Sequence, residues 1–554
     1  MRPLKVDALQ DEPPQQQPWG VVAFVEVVSA WPDIDLTIDP HKNVHWNVTT
    51  LRIGALIAAG VVLMALSYTW IWARTPSPAA CVKWQLQVLG YFDLFLAGIL
   101  VSSLAPTALP ISQELGHGAG FSGLLLSSMF ILTAPGAVLG RFVATRASQE
   151  TKRVLQSILI AVAAGCCIIT GIITQDMQLF AWVSSKKDVI FIAARAVCGF
   201  AMFTWVSIMF AMTTEVAQPA LRVRQQMHQN LFLMAGSGSG PLVVAIVTSS
   251  SENTGVATLG LAAPFYISAA LYMVHSICAW LVTPACSDWM IAAAAEEVDS
   301  SSDGVMTSTS IGTRVGLPEV LPSEERSLWL RKVIFCLGNL YGVERSVVTI
   351  SLEAATSYIL QTHFSWTTSK VAIWVGIVYL LGTVVSLPLN LHKDDIGELN
   401  LMKFGSVLGV VASVVLALFM YRAECVVLVM DFFLFTASTL ASGVAEGMSL
   451  AAAIPDDPWF NQETAWCFRN AVKQNLGRFC APLLVRSTIE KSPTLYGTMQ
   501  VALTVCGFVL CYSLVDAVKE LQVRSKLQGR RSSTILGKSP KHDAGRTAMA
   551  LSKC

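Results

Sequence analysis

Thirteen stretches of this chain are each about as long as a helix must be to cross a lipid bilayer, and most are nearly free of charge. The hydrocarbon core is about 30 Å thick and a helix rises about 1.5 Å per residue, so a crossing needs roughly 20 predominantly apolar residues. Counted this way, the spans are 51–72, 86–110, 121–143, 154–175, 188–213, 229–249, 262–284, 332–360, 371–391, 401–421, 425–450, 468–489 and 496–517. Within lipid every backbone N–H and C=O must be satisfied inside its own segment, so each span is expected to be helical. Of the 554 residues 53% are hydrophobic and 14% charged, against about 25% charged in soluble domains. That balance excludes a soluble globular enzyme and a disordered scaffold. A net charge of +1 gives no field to hold nucleic acid. The cysteines follow neither a metal-ligand spacing nor a disulfide framework, so neither a metal nor a cofactor is expected.

The spans group as one, then six, a polar interval, then six. Residues 1–50 are acidic, with seven Asp/Glu against three Lys/Arg, and carry the glycosylation sequon Asn47-Val48-Thr49. An extra transmembrane helix at 51–73 follows. A six-helix bundle over 86–284, a cytosolic linker over 285–328, a second bundle over 329–517 and a basic tail over 518–554 complete the chain. Lys and Arg in short loops set orientation. Without the extra helix in the count, Arg141, Arg146, Lys152 and Arg153 follow the second span, and Arg222 and Arg224 the fourth. Lys393 and Lys403 follow the eighth, and Arg469 and Lys473 the tenth. These loops, the linker and the tail are expected in the cytosol. Residues 1–50 are then extracellular or lumenal. Lys186 and Lys187 run against the trend.

There is a trace of an internal repeat. The fifth helix of the first bundle reads Gly236-Ser-Gly-Ser-Gly240-Pro241-Leu242. The corresponding helix of the second reads Gly477-Arg-Phe-Cys-Ala481-Pro482-Leu483, at an offset of 241. Gly236 and Gly240 are four apart and share a helix face, which permits close backbone approach. Pro241 lacks an amide donor and permits a bend. The segment reads as a hinge helix or, equally, as a tightly packed static one.

In order along the chain, several segments resemble the major facilitator superfamily. Ala108-Leu-Pro-Ile-Ser-Gln-Glu-Leu-Gly116 followed by Phe121-Ser-Gly-Leu is similar to its junction between helices one and two. Gly136-Ala-Val-Leu-Gly140-Arg141, with Arg146 and Lys152-Arg153 beyond, resembles the cytosolic gating loop, although Ala144 and Thr145 stand where an Asp is usual. Arg195-Ala-Val-Cys-Gly199 resembles the fourth-helix motif. Gly236-x-x-x-Gly240-Pro241 resembles the fifth helix of the proton-coupled antiporters, with Val244 and Ala245 in place of a further glycine pair. The resemblance covers about 86–517. It implies an all-α membrane protein with a twelve-helix major-facilitator-type fold of two six-helix bundles, here with one extra N-terminal transmembrane helix.

Ionisable residues inside spans are expensive and usually face a cavity or a partner. Asp93 lies in helix one, Arg195 in four, Glu344, Arg345 and Glu353 in seven, and Asp431 and Glu446 in ten. In the resembled family these four helices line the central cavity. Asp93 and Arg195 are expected to form a coupled pair, with a static ion pair as the alternative. Glu353 is expected at the cavity mouth and Asp431 as a second proton site. Glu344 and Arg345, about 100° apart on a helix, are not expected to face each other. Glu446 reads as a helix-end residue, and His275 as a packed histidine with no acid nearby in sequence. The aromatics Tyr91, Phe92, Trp205, Tyr341, Phe432, Phe433 and Phe435 are candidates to line a pocket for an amphiphile or simply to pack.

The functional expectation is secondary transport of a small organic molecule by alternating access, driven by protons. It needs no second copy, and the plasma membrane or an endolysosomal or vacuolar membrane would host it. The alternatives are a non-transporting receptor or scaffold of the same fold, or a multi-span transferase. The latter lacks a motif, since His117, His228 and His363 stand isolated in sequence.

Overall fold

The computed structural model describes residues 78–536 apart from 176–185, 217–221, 255–256, 284–324, 393–395, 455–456, 462–463 and 466–467. The extra span at 51–73, Asn47, the linker's 285–324 and the tail beyond Leu536 therefore lie outside the described residues. Apart from short turns, the described chain is helical. Eleven helices are long and apolar enough to cross a bilayer: α1 Leu86–Glu114, α2 Ala119–Arg146, α3 Gln149–Gln175, α4 Lys187–Thr213, α5 Gln225–Ser249, α6 Gly260–Leu281, α7 Glu325–Thr362, α8 Thr368–Leu389, α9 Glu398–Phe419, α10 Glu424–Ala452 and α12 Thr494–Ser525. The twelfth, α11, joins a π-helix at Arg469–Cys480 to an α-helix at Ala481–Lys491. Arg478 and Arg486 sit within it, which keeps it from reading as a clean apolar span. Two boundaries run further than the sequence suggests: α7 begins at Glu325, and the last helix extends to Leu536, so the first part of the tail is helical.

Packing repeats with a period of six helices. In the first half α1 packs on α5, α2 on α4, and α3 on both α4 and α6. In the second half α7 packs on α11, α8 on α10, and α9 on both α10 and α12. The glycine match seen in the sequence obeys the same rule. A Cβ on Gly236 would collide with the Phe95 carbonyl of α1, and one on Gly477 would stand 2.7 Å from Ser346 Oγ of α7. Small residues are required there because the helix backbones nearly touch. Outward-facing apolar side chains concentrate on the peripheral helices, such as Ile158 and Val162 on α3, Val274 and Ile277 on α6, Val411 and Leu418 on α9, and Val505 and Val509 on α12. They suit hydrocarbon contact.

The halves meet along α5 with α8 and α2 with α11, two pairs related by the same shift of six, and along α5 with α10. Gly238 and Gly376 let α5 and α8 approach: a Cβ on Gly376 would lie 2.9 Å from the Gly238 carbonyl. At the end assigned to the outside, buried Arg486 of α11 donates to Ser122 Oγ at 2.5 Å and to the Ala105 carbonyl at 3.2 Å. Gln361 Nε2 donates to the Pro106 carbonyl at 2.7 Å. At the other end α10 presses on α5, where a Cβ on Gly443 would meet Asn230 Nδ2 at 3.1 Å. The halves thus touch toward both ends and along the α5–α8 seam.

Candidate functional site

Between those contacts lies a cavity of about 90 Å³, room for a handful of waters at roughly 10–15 Å³ each. One wall comes from the first half: Leu94, Ala97 and Val101 of α1, Met202, Phe203, Val206 and Phe210 of α4, and Asn230 and Leu233 of α5. The other comes from the second half: Arg345, Ser346, Thr349 and Ile350 of α7, Ser438, Thr439 and Ser442 of α10, and Lys473 and Arg478 of α11. The first wall is apolar but for one amide; the second is hydroxylic and cationic.

Local helix geometry sets the cationic wall. Lys473 and Arg478 are five residues apart, so an α-helix would splay them by about 140°. The π-helix closes i→i+5 hydrogen bonds and so brings residues five apart close to one face. Both side chains therefore reach the cavity. Lys473, read from sequence as a loop residue, is instead within α11 and ion-paired with Glu446 of α10. Glu446 is not a helix-end residue. It is buried, and Ser442 Oγ also donates to it at 2.8 Å.

Glu344 and Arg345 do face each other, against the expectation from their backbone directions. Arg345 Nε donates to one Glu344 oxygen at 2.5 Å and Nη2 to the other at 2.6 Å. Both side chains fold back toward α12, and Arg345 also nears α9, where glycines make room: a Cβ on Gly409 would meet Arg345 Nη1 at 3.0 Å. The Arg345 guanidinium lies 5.2 Å from the Tyr341 ring centroid. This pair is an internal cross-brace of the second half.

Asp93 and Arg195 are brought near a common neighbour, Tyr272, with which both interact electrostatically, but not into an ion pair. Asp93 is bonded instead to His275 of α6, 182 residues away, and both are fully buried. Arg195 is buried, 5.9 Å from the Phe265 ring centroid, and its Nε and Nη1 have no partner among the described residues. Neither Asp93 nor Arg195 is among the cavity-lining residues; they stand behind the apolar wall. Glu353 and Asp431 belong to a buried polar cluster in the second half. Thr356 donates to Asp431, whose other oxygen is unpartnered, as are Glu353 Oε1 and the hydroxyls of Tyr379, Tyr496 and Thr436. Tyr379 interacts electrostatically with both carboxylates, and Glu353 with Arg478.

At the α2 end that the charge pattern assigns to the cytosol, Gly140 lies against the Thr204 carbonyl of α4, 2.5 Å from an added Cβ. Arg146 ends α2 with its guanidinium 4.8 Å from the Phe142 ring centroid. Arg141 lies one turn earlier in the same helix and is engaged elsewhere. Gly236, Gly240 and Pro241 lie within one uninterrupted helix, Arg222–Thr254. The candidate aromatics do not line the cavity: Trp205 packs edge-on against Tyr272 at 5.5 Å, Tyr341 shares a hydrogen bond with Ser406 at 2.6 Å, and Phe435 stacks on Tyr379 at 4.0 Å. Phe203 and Phe210 take that place. Arg478 and Arg486 escaped the list of membrane charges. Their signal was present, as two arginines inside the apolar stretch 468–489.

The sequence pattern that defines the Major Facilitator Superfamily matches residues 88–482. No curated protein matches the sequence. Among solved structures, the chain is similar to the xylose transporter XylE from E. coli in a partially occluded inward open conformation. The identity is 14%, the TM-score 0.53, and the match covers 78% of this chain and 97% of that one. It is similar as well to a D-xylose-proton symporter, at 13% identity and a TM-score of 0.56, over 78% of this chain and 96% of that one. At such identities the likeness establishes the fold.

Proposed function

The chain belongs to the Major Facilitator Superfamily, and from that premise we propose that it is a proton-coupled secondary transporter of a small organic molecule, working by alternating access. The observation that carries this reading is the two-walled cavity between halves that touch at both of its ends. Parting the outer contacts at Arg486 and Gln361, or the inner contact of α10 with α5, would open it to one side at a time. The glycine seams of α5 permit such rocking without repacking bulky side chains. The proposed cycle requires no second copy of the chain.

Protons have two kinds of candidate carrier. Glu353 and Asp431 each keep one buried carboxylate oxygen unpartnered, and Glu353 is in electrostatic range of Arg478, which lines the cavity. Asp93 is engaged by His275 behind the apolar wall. We assign the exchangeable proton to Glu353 and Asp431 first, with Arg478 as the fixed positive charge through which bound substrate is felt at Glu353. Xylose symporters of the same fold couple transport to protons. A membrane bearing a proton gradient, the plasma membrane or an endolysosomal or vacuolar one, fits this reading. The test is uptake into proteoliposomes under an imposed pH gradient. Wild type accumulates substrate against its gradient, Glu353→Gln and Asp431→Asn exchange it without accumulation, and Asp93→Asn keeps accumulation. Undiminished proton-driven accumulation in both Glu353→Gln and Asp431→Asn would overturn the assignment.

A further inference from the structure

Resting on the transporter reading above, we propose that the cavity selects an amphiphilic organic anion, its acidic head held by Arg478 and its apolar body lying against α4. Arg478 is 9% exposed and lines the cavity. Among the described residues no acceptor lies within hydrogen-bond distance of its guanidinium; the Phe130 ring centroid stands 5.5 Å away. Glu353 is in electrostatic range but makes no hydrogen bond to it. Glu446, the other acid near this wall, is taken by Lys473 and Ser442. A largely buried guanidinium that faces a cavity is stabilised by an acceptor there, and its planar two-donor edge matches a carboxylate.

Three buried atoms of cavity-lining residues lack partners among the described residues: Asn230 Nδ2, Arg345 Nη1 and Ser438 Oγ. All can donate. With Arg478, donors from Asn230, Arg345 and Ser438 thus share one cavity, and the first-half wall offers Met202, Phe203, Val206 and Phe210. A sugar would leave its hydroxyls unmatched against that apolar wall. An organic cation would meet Arg478. An anion with an apolar body satisfies both walls and has one orientation in the cavity.

Binding to the purified full chain in detergent, read by thermal unfolding and by tryptophan fluorescence, tests this without requiring flux. The probes are phenylacetate, benzoate and hexanoate, with phenylacetamide, acetate and phenethylammonium as comparisons. The aromatic and aliphatic acids are expected to stabilise the protein. The amide, lacking the charge, and acetate, lacking the body, are expected to bind at least about tenfold more weakly, the scale of one lost charge-assisted contact. Arg478→Gln should weaken phenylacetate by a similar factor, Arg478→Lys should recover part of it, and Phe203→Ser should weaken phenylacetate while leaving acetate alone. The proposal is overturned if the amide or the cation binds as tightly as phenylacetate, if none of the acids binds, or if folded Arg478→Gln binds like wild type. Binding as expected with no flux of labelled phenylacetate in proteoliposomes would instead overturn the transporter reading and leave the anion site standing.

Discussion

The two halves share one helix-packing scheme and almost nothing of their buried chemistry. In the first half the membrane charges are withdrawn. Asp93 is bonded to His275, Arg195 sits among Phe265 and Tyr272, and the cavity face is nearly all hydrocarbon. In the second half Glu344–Arg345 braces α7, Glu446–Lys473 joins α10 to α11, and Arg478 lines the cavity with Glu353 in electrostatic range of it. Close glycine contacts and helix order are common to both and carry the architecture. Which half does the chemistry is decided by a few side chains that the packing tolerates in either place. A cavity with one greasy wall and one charged wall also has a built-in direction, which a cavity between chemically equal halves would lack.

The comparison breaks most visibly if the charged braces of the second half prove dispensable. Arg345→Met leaves Glu344 buried and unpaired, so it should lower stability by about 3–5 kcal/mol and collapse the yield of monodisperse protein. Replacing both members with apolar residues of similar volume should recover much of that loss, and thermal unfolding of single and double variants reads both. Next in size is the seam between halves. Gly376→Leu forces a side chain against the Gly238 carbonyl and Leu242 and should cost about 1–3 kcal/mol. It should reduce transport more than stability, which separate flux and unfolding measurements would show. Asp93→Asn keeps a hydrogen-bonding partner for His275, so it should cost about 1 kcal/mol and preserve proton-driven accumulation. A loss of accumulation equal to that of Glu353→Gln would move the chemistry back into the first half.

The smallest effect belongs to the surface pair Lys332–Asp457, 2.9 Å apart. The hydrogen bond from Lys332, then that from the Trp459 amide, holds the Asp457 carboxyl below the usual carboxylate range. A depressed value in the folded protein means the contribution is complete above about pH 4, the unfolded value, and fades as pH falls further. Asp457→Asn should therefore shift the melting temperature slightly from pH 5 to 8 and converge with wild type in acid. A wild-type difference that instead grows on acidification would contradict the sign.

The helices were legible because lipid demands a run of apolar residues; the sequence span 154–175 and the helix Gln149–Gln175 share an end. The side-chain partnerships were less so. Asp93 and His275 are joined only by tertiary structure, across 182 residues. Glu344 and Arg345 were judged by backbone direction, but long side chains reach around the helix to meet. From sequence Lys473 reads as a loop residue and Arg478 is passed over within the apolar stretch 468–489; only the π register of Arg469–Cys480 brings the two to one cavity.

That register bears on how the gene encoding this chain can vary. Losing or gaining one codon anywhere in 469–477 would leave an intact spanning helix and the same inventory of residues. It would also swing every downstream side chain by about a quarter turn, carrying Arg478 off the cavity and Arg486 off Ser122 in one step. Viable variants of this segment should therefore accumulate substitutions while keeping its length fixed, and a deletion scan across it should lose function wherever the cut falls.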